Sequence, residues 1–345
     1  MQRRALALFS GGLDSILAAK IIQNQGIDIL AINFTSPFFG SSPENSSVSI
    51  AARYASIYEI PFRSIALGND YLEMLKNPVH GYGSGLNPCI DCKSFMLRHT
   101  KKLMDELKAD FIITGEVIGQ RPMSQRKDTM RIIERDSGLD GLLLRPLSAR
   151  FLKETIPEME GWVRRDELPA IKGRGRKDQM LLAAKLGIDD FPGPGGGCLL
   201  AEESYIPKVK DLLSHQPAPV IRDFELLRTG RHFRISENCK AIVGRDCNEN
   251  DRLHSLIAKG ETILRWPDGS SPIVLVTGKP LATDLIQAGR ILLRYTRFPR
   301  HLVCSLSANR DGETLKIEVM NDIGEDELES FRVSLFKAAP CLRSE

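Results

Sequence analysis

The residues Ser10-Gly11-Gly12-Leu13-Asp14-Ser15 lie between an apolar run, ALALF at 5–9, and an apolar-periodic segment, SILAAKIIQNQG at 15–26. That order reads as strand, glycine turn, helix. In such a setting the free N–H groups that open the helix point at an anion, and paired glycines let the backbone approach a phosphate closely. Ser10 and Ser15 add hydroxyl donors, whereas Asp14 is by itself a poor phosphate contact and suits a metal ion or a structural cap. No GxxxxGK[ST] pattern accompanies the turn, so it is not the lysine-bearing ATP loop, and without GxGxxG a dinucleotide fold has no support. The competing reading is a turn that merely reverses the chain.

Two basic stretches carry a second kind of chemistry. KGRGRK at 172–177 puts Lys172, Arg174, Arg176 and Lys177 among glycines, a composition that could track a phosphate backbone or stand as a solvated loop. RTGRHFR at 228–234 interleaves Arg228, Arg231 and Arg234 with His232 and Phe233, suiting phosphate contact and base stacking. Between Arg222 and Arg310 fifteen Lys or Arg face nine Asp or Glu, leaving 32 basic and 35 acidic residues elsewhere. The stretch 222–310 therefore carries a positive excess that outweighs the acidic excess of the remainder, giving the net charge of +3.

These residues need elements to hold them. From Arg4 to about Arg150, short β-rich runs (ALALF, DILAINF at 28–34, PFRSIAL at 61–67, DFIITG at 110–115) alternate with helical patterns such as SFMLRHTKKLMDELKAD at 94–110, the signature of an α/β fold with a parallel sheet. From 151 to 187 the pattern reads mostly helical and ends at the breaker stretch FPGPGGGC, 191–198. SHQPAPV at 214–220 reads as a linker. Beyond it KAIVG, PIVLVTG, RILLRYTRF and HLVCSLSA read as short β-rich runs of an α+β or mainly β domain. We therefore expect a parallel-sheet, Rossmann-like domain at 1–218, with a core at 1–150 and a helical extension at 151–213, and a smaller basic domain at 219–345. A chain of 345 residues is long enough for this, at roughly 100–200 residues per domain. A glycine pair and an aspartate interrupt the start where a signal peptide would stay apolar, and no stretch approaches the roughly 20 apolar residues of a membrane span, so a cytoplasmic protein without membrane contact is expected.

SGGLDS at the end of the first strand resembles the PP-loop of the ATP pyrophosphatase superfamily, whose members bind ATP and cut between its α- and β-phosphates. The resemblance implies that Ser10, Gly11, Gly12, Asp14 and Ser15 hold the leaving pyrophosphate. The block ITGEVIGQRPMSQRKDTMRIIERDSGLDGLLLRPL at 113–147 is similar to the TGE-x-x-GQ-x-x-SQ and RPL elements of 4-thiouridine synthetases. It implies that Gly115, Gln120 and Gln125 lie at strand ends beside the nucleotide crevice of an open α/β sheet; the alternative is a polar loop in which Gln and Ser cap local turns.

NPCIDCKSFML at 87–97 resembles the N-P-x-x-x-C-[NK] segment of tRNA 2-thiouridylases, with the cysteine at Cys92, but Cys89 stands where those enzymes commonly have an aspartate. A C-x-x-C opening a helix plus Cys198 after Gly195-Gly196-Gly197 matches the three-cysteine arrangement of iron-sulfur-dependent tRNA thiolases. Three thiolates can hold a [4Fe–4S] cluster with one iron open to sulfide. Alternatively one thiol carries a persulfide that another resolves as a disulfide. Zinc is the third reading, with His99 the nearest fourth ligand, though its helix periodicity points it elsewhere. Cys239, Cys247, Cys304 and Cys341 show no ligand spacing and read as ordinary thiols.

The resemblance spans about residues 4 to 200 and implies an ATP-dependent tRNA uridine sulfurtransferase. Adenylation of a uracil carbonyl oxygen turns a poor leaving group into AMP, which sulfur then displaces, and Mg²⁺ neutralises the phosphates. Catalytic roles fall on Asp14, Cys89, Cys92 and Cys198. 4-Thiouridine synthetases usually carry an N-terminal RNA-binding extension and some a C-terminal rhodanese domain. Here RNA binding is expected in the C-terminal domain, which faintly resembles the RNA-binding domain of ribosome quality-control factors of the fibronectin-binding-protein type. Sulfur is expected as free sulfide or from a separate carrier. The alternatives are a PP-loop ligase or thiolase acting on a small molecule, a non-catalytic RNA-binding protein with a regulatory ATP site, and a C-terminal domain that serves oligomerisation, as in a homodimer. The 113–147 block favours the 4-carbonyl and NPxxxC the 2-carbonyl.

Overall fold

The computed structural model describes residues 2–40, 48–193, 197–267 and 272–334. Gly195, Gly196 and Cys341 lie outside these described residues. The chain divides into two compact units, Met1–Ala201 and Glu202–Glu345.

The first unit is built on β1 (Arg4–Leu8), α1 (Leu13–Gln23), β2 (Asp28–Thr35), α2 (Ile50–Ile57), β3 (Phe62–Ala66), α3 (Asn69–Lys76), α4 (Cys89–Leu107), β4 (Phe111–Thr114), α5 (Lys127–Asp136) and β5 (Leu143–Leu144). Its sheet has the order β3-β2-β1-β4-β5 and every pairing is parallel. β1 and β4 are almost wholly buried because helices cover both faces, which is why they read as unbroken apolar runs. The strand order reverses direction between β1 and β4. Their carboxyl ends therefore flank the crevice where open α/β sheets bind ligands.

The 151–187 segment differs from its sequence reading. Only the single turn α6 (Ile156–Met159), α7 (Lys177–Lys185) and short 3₁₀ pieces are helical. Gly161 and Pro169, with Gly173 and Gly175, interrupt the apolar periodicity and hold the rest in turns. Val163, Leu168, Ile171 and Ala183 nevertheless pack into the same core as α1.

The second unit comprises α8 (Ile206–His215), α9 (Ile221–Leu226), β6 (Arg231–Ser236), β7 (Cys239–Val243), α10 (Cys247–Ser255), β8 (Thr262–Arg265), β9 (Val274–Gly278), α11 (Ala282–Arg294), β10 (Val303–Arg310), β11 (Glu313–Met320) and α12 (Glu325–Phe331). The six-stranded sheet is antiparallel throughout, in the order β11-β10-β8-β9-β7-β6. RILLRYTRF, read as a strand, belongs largely to α11, whose Ala288, Ile291 and Leu292 bury one face on the sheet core. The division falls before α8, earlier than 218, because α8 is tied to the second sheet: Asp211 accepts from Arg234 and Lys240, and Lys208 donates to Leu227 O. Among the described residues no helix is long and apolar enough to cross a membrane.

Candidate active site

The glycine turn at the end of β1 is fixed at Gly11 by contacts that exclude any other residue. Gly11 has φ +76°, and a Cβ there would lie 2.7 Å from Ala51 Cα at the start of α2. Gly12 opens α1, with Ser15 N and Ile16 N donating to its carbonyl at 3.0 and 3.1 Å and the Ser15 hydroxyl adding a 2.7 Å bond. Ser10 Oγ faces both Gly12 N (3.4 Å) and Ser15 Oγ (3.5 Å). The first N–H groups of a helix have no partner within it, so the turn presents donors toward the crevice.

Across the strand-order reversal, the end of β4 touches the same turn. A Cβ on Gly115 would fall 2.5 Å from the Asp14 carbonyl and 2.6 Å from Ser15 N, so only glycine lets the two ends abut. Gln120 Nε2 donates to Asp14 Oδ2 at 3.0 Å. Asp14 Oδ1 is buried with no hydrogen-bond partner, a free carboxylate oxygen beside phosphate-directed N–H groups. That orphaned oxygen fits a divalent cation accompanying ATP. Gln125 behaves differently: its Oε1 accepts from Arg121 N at 3.1 Å and its carbonyl from Gly119 N at 2.7 Å. It closes the loop locally, as the turn-capping alternative describes.

Glu116 and Arg145, which sit inside the TGE and RPL elements, form a buried ion pair that residue type alone does not single out. Both side chains are 3% exposed and paired at 3.2 Å. Burial alone would raise the Glu116 carboxyl, but Lys93 and Arg145, with a Thr114 hydrogen bond, hold it below the usual carboxylate range. Arg145 also reaches Glu134 (3.1 Å) and Met130 O (3.0 Å), clamping β5 to α5. Glu116 Oε1 has no hydrogen-bond partner, and Lys93 Nζ lies 3.9 Å from it.

Lys93 follows Cys92, so this contact leads to the thiols. Cys89 and Cys92 occupy the first turn of α4 and the segment of Cys198 runs alongside: Leu199 N donates to Phe38 O and Leu86 N to Leu200 O. Asn87 Nδ2 donates to Cys89 Sγ at 3.1 Å, and the fully buried Tyr71 donates its hydroxyl to Cys92 Sγ at 3.4 Å. Burial, then the neighbouring Cys92, Cys198 and Cys89, push the Tyr71 phenol well up, so it stays a donor. Burial likewise pushes the Cys92 thiol up to about 11, with Tyr71 and Lys93 pulling the other way. Phe38, Phe39 and Phe95 pack around Tyr71 at ring separations of 5.5 to 6.2 Å. His99 stacks on Phe95 and pairs with Asp70, turned to other partners as its helix position implies.

Among the described residues no group of three His, Cys, Asp or Glu side chains is placed to hold a metal ion. Cys89 and Cys92 are instead engaged by Asn87 and Tyr71. The three thiols border one aromatic pocket, but they are not drawn into a closed ligand set.

The two basic stretches separate sharply. Lys172 forms a parallel bridge with Ile118, Gly173 N donates to Ile118 O at 2.7 Å, and Lys172 Nζ lies 4.8 Å from the Phe151 ring centroid. Lys172, Arg174 and Lys177 are exposed and Arg176 half-buried. In the second unit, Phe233 is 0% exposed in the sheet core against Tyr295, so it stacks on no base. Arg234 is held by both oxygens of Asp211 at 2.9 Å, Arg231 lies over the Tyr295 ring, and Arg228 is half-buried. The RTGRHFR stretch runs from a turn into β6, where His232 and Phe233 are both buried.

With this geometry in place, the family described as "Thiamine biosynthesis protein (ThiI)" matches residues 1–160. That match covers just under half of the chain. Over 155 residues the chain is 32% identical to a "Probable tRNA sulfurtransferase" of Finegoldia magna, covering 44% of this chain and 38% of that protein. A "tRNA-specific 2-thiouridylase MnmA" of Karelsulcia muelleri is 28% identical over 190 residues, covering 50% of this chain and 47% of its own. The chain thus spans well under two thirds of these relatives. The solved "U34-tRNA thiolase NcsA from Methanococcus maripaludis with its [4Fe-4S] cluster" overlaps 66% of this chain and 72% of its own at 21% identity and a TM-score of 0.30, too little to carry residue roles across. The family "NFACT protein RNA binding domain" matches residues 230–332, beyond the ThiI match.

Proposed function

We propose that the chain is an ATP-dependent tRNA uridine sulfurtransferase. One observation carries the reading: the segment Gly115–Gln125 touches both halves of a two-step site. Gly115 and Gln120 meet Asp14 of the glycine turn, while Glu116 meets Lys93 and Met123 Sδ accepts from Asn87 at 3.7 Å, beside the thiols.

In this reading the Ser10–Ser15 turn cradles the pyrophosphate portion of ATP through N–H groups and hydroxyls, and Asp14 Oδ1 ligates Mg²⁺ while Gln120 orients the carboxylate. The ion supplies charge neutralisation for the leaving pyrophosphate. The uracil oxygen attacks the α-phosphorus and pyrophosphate departs. Sulfur at the Cys89, Cys92 and Cys198 pocket then adds to the activated carbon and AMP leaves. Tyr71 and Asn87 position two of the thiols. In the persulfide form the terminal sulfur bonds the activated carbon as AMP leaves. A second thiolate then attacks the cysteine sulfur, breaking the S–S bond to release the thiocarbonyl and form a Cys–Cys disulfide, which a reductant must reopen. A [4Fe–4S] cluster on the three cysteines is the other form of carrier, and it would require the thiols to close around it. Free sulfide suits the cluster form, whereas the persulfide form needs a separate donor that is itself a persulfide. RNA is held by the 172–177 loop and the C-terminal domain, in the cytoplasm.

The test is release of AMP and pyrophosphate from labelled ATP with tRNA and sulfide. Stoichiometric release that needs tRNA supports the proposal. Release without tRNA points to a small-molecule ligase, and no release with any tRNA points to a non-catalytic RNA binder; either contradicts it. Iron and sulfide analysis of anaerobically prepared protein decides the carrier: an iron-free chain that thiolates at full rate excludes the cluster.

A further inference from the structure

Resting on the thiolase reading, we infer that three loops of the first unit form one basic rim over the nucleotide crevice that grips the phosphodiester backbone of the RNA beside the reacting nucleotide. The loops are stitched together by bonds that leave little freedom. Ile118 N donates to Ser148 Oγ at 3.0 Å, that hydroxyl donates to Ile171 O at 2.7 Å, and Gly173 N returns to Ile118 O at 2.7 Å. Ile171 N also donates to Leu147 O at 2.9 Å, and Lys172 lies over Phe151. The segments 118–121, 147–153 and 171–177 are therefore neighbours, and the first of them carries Gln120, which bonds Asp14.

Each segment contributes cations with no acidic partner. Arg121, Arg150 and Lys153 are exposed and, among the described residues, enter no ion pair, and the same holds for the four cations of the 172–177 loop. Of the acids nearby, Glu154 pairs with Arg165 at 3.6 Å and Asp128 with Arg126 at 3.0 Å, and Asp178, exposed beside Lys177, forms no ion pair with these seven cations. Seven uncompensated charges on adjoining loops repel one another, and a polyanion relieves that repulsion while releasing its own counterions. ATP cannot be the occupant of the rim, because its phosphates are met inside the crevice by the N–H groups of the glycine turn. An RNA strand entering to present a uracil must pass over this edge. The rim thus gives the first unit its own RNA contact.

The experiment measures binding of an unmodified tRNA transcript to the full chain over a series of KCl concentrations. It compares wild type with Lys172→Ala/Arg174→Ala/Arg176→Ala/Lys177→Ala and with Arg121→Ala/Arg150→Ala/Lys153→Ala. Six of the seven sites are exposed and Arg176 is half-buried, and thermal melting with ATP binding in the absence of RNA verifies that both variants are folded. Each set is expected to weaken tRNA binding about tenfold or more at low salt. The slope of log K against log salt should fall by about 1 for each phosphate no longer neutralised, about 2 to 4 for the fourfold set. Wild-type affinity and slope in either set overturns the rim. A wild-type chain that binds no tRNA at any salt concentration contradicts the thiolase reading itself, a distinct result.

Discussion

At the scale of single residues, the nucleotide half of the site depends on two glycines and one carboxylate. Gly115→Ala places a methyl 2.5 Å from the Asp14 backbone and must push β4 off the first turn of α1. ATP affinity measured by calorimetry is expected to fall by more than about tenfold, which is about 1.4 kcal/mol. Gly324→Ala, where nothing lies within 4 Å, leaves it unchanged; equal effects at the two positions contradict the packing argument. Gln120→Ala removes one bond to a charged group, worth about 1.5–3 kcal/mol, and should raise KM for ATP while Asp14→Ala abolishes AMP formation altogether. If Gln120→Ala leaves KM untouched, Asp14 is oriented by something else. Residue types announced the glycine turn and the cysteines plainly. They could not announce that Phe233 faces inward, because an aromatic between arginines looks alike in a core strand and on a stacking surface, and only the pairing of β6 with β7 decides.

At the scale of elements, the second unit hangs on a charge cluster between α8 and its sheet. Asp211 bridges Arg234 and Lys240, whose ammonium lies in a 5% exposed residue. Burial would raise the Asp211 carboxyl, yet the hydrogen bonds from Arg234 and Lys240 bring it down to about 2 from an ordinary 3.8. A lowered carboxylate contributes stability that is fully present above about pH 4 and is lost as the pH falls through 2. Asp211→Asn takes the carboxylate from the buried Lys240 and the half-buried Arg234 and should cost about 3–5 kcal/mol at pH 6. The gap between variant and wild type in urea midpoints should shrink as the pH approaches 2; a gap independent of pH contradicts the linkage. The elements themselves were largely legible: four parallel strands and both long helices of the first unit stand where apolar periodicity puts them. β5 escaped because it is two residues long, and RILLRYTRF passed for a strand because the α11 face that it completes begins eight residues earlier. The rim was hidden for a different reason, since the residues that join its loops, Ile118, Ser148 and Ile171, are 30 and 23 positions apart in sequence and share no local pattern.

At the scale of the whole molecule, a region that matches the ThiI family and a region that matches the NFACT protein RNA binding domain follow each other in one chain. The arrangement makes sense if ATP cleavage, sulfur transfer and RNA capture serve one reaction. Thiolation should then depend on both halves of the first-unit site separately: Asp14→Ala stops AMP release, whereas Cys89→Ala, Cys92→Ala or Cys198→Ala stops sulfur incorporation, and substitution of Cys239, Cys247, Cys304 or Cys341 does neither. The most direct measurement is mass spectrometry of nucleosides from an unmodified tRNA incubated with the chain, ATP, Mg²⁺ and sulfide. The account predicts one uridine converted to a thiouridine, oxygen exchanged for sulfur, only when ATP and all three cysteines are present. An unchanged uridine content with the complete mixture, under anaerobic conditions and with the iron reconstituted, would contradict it.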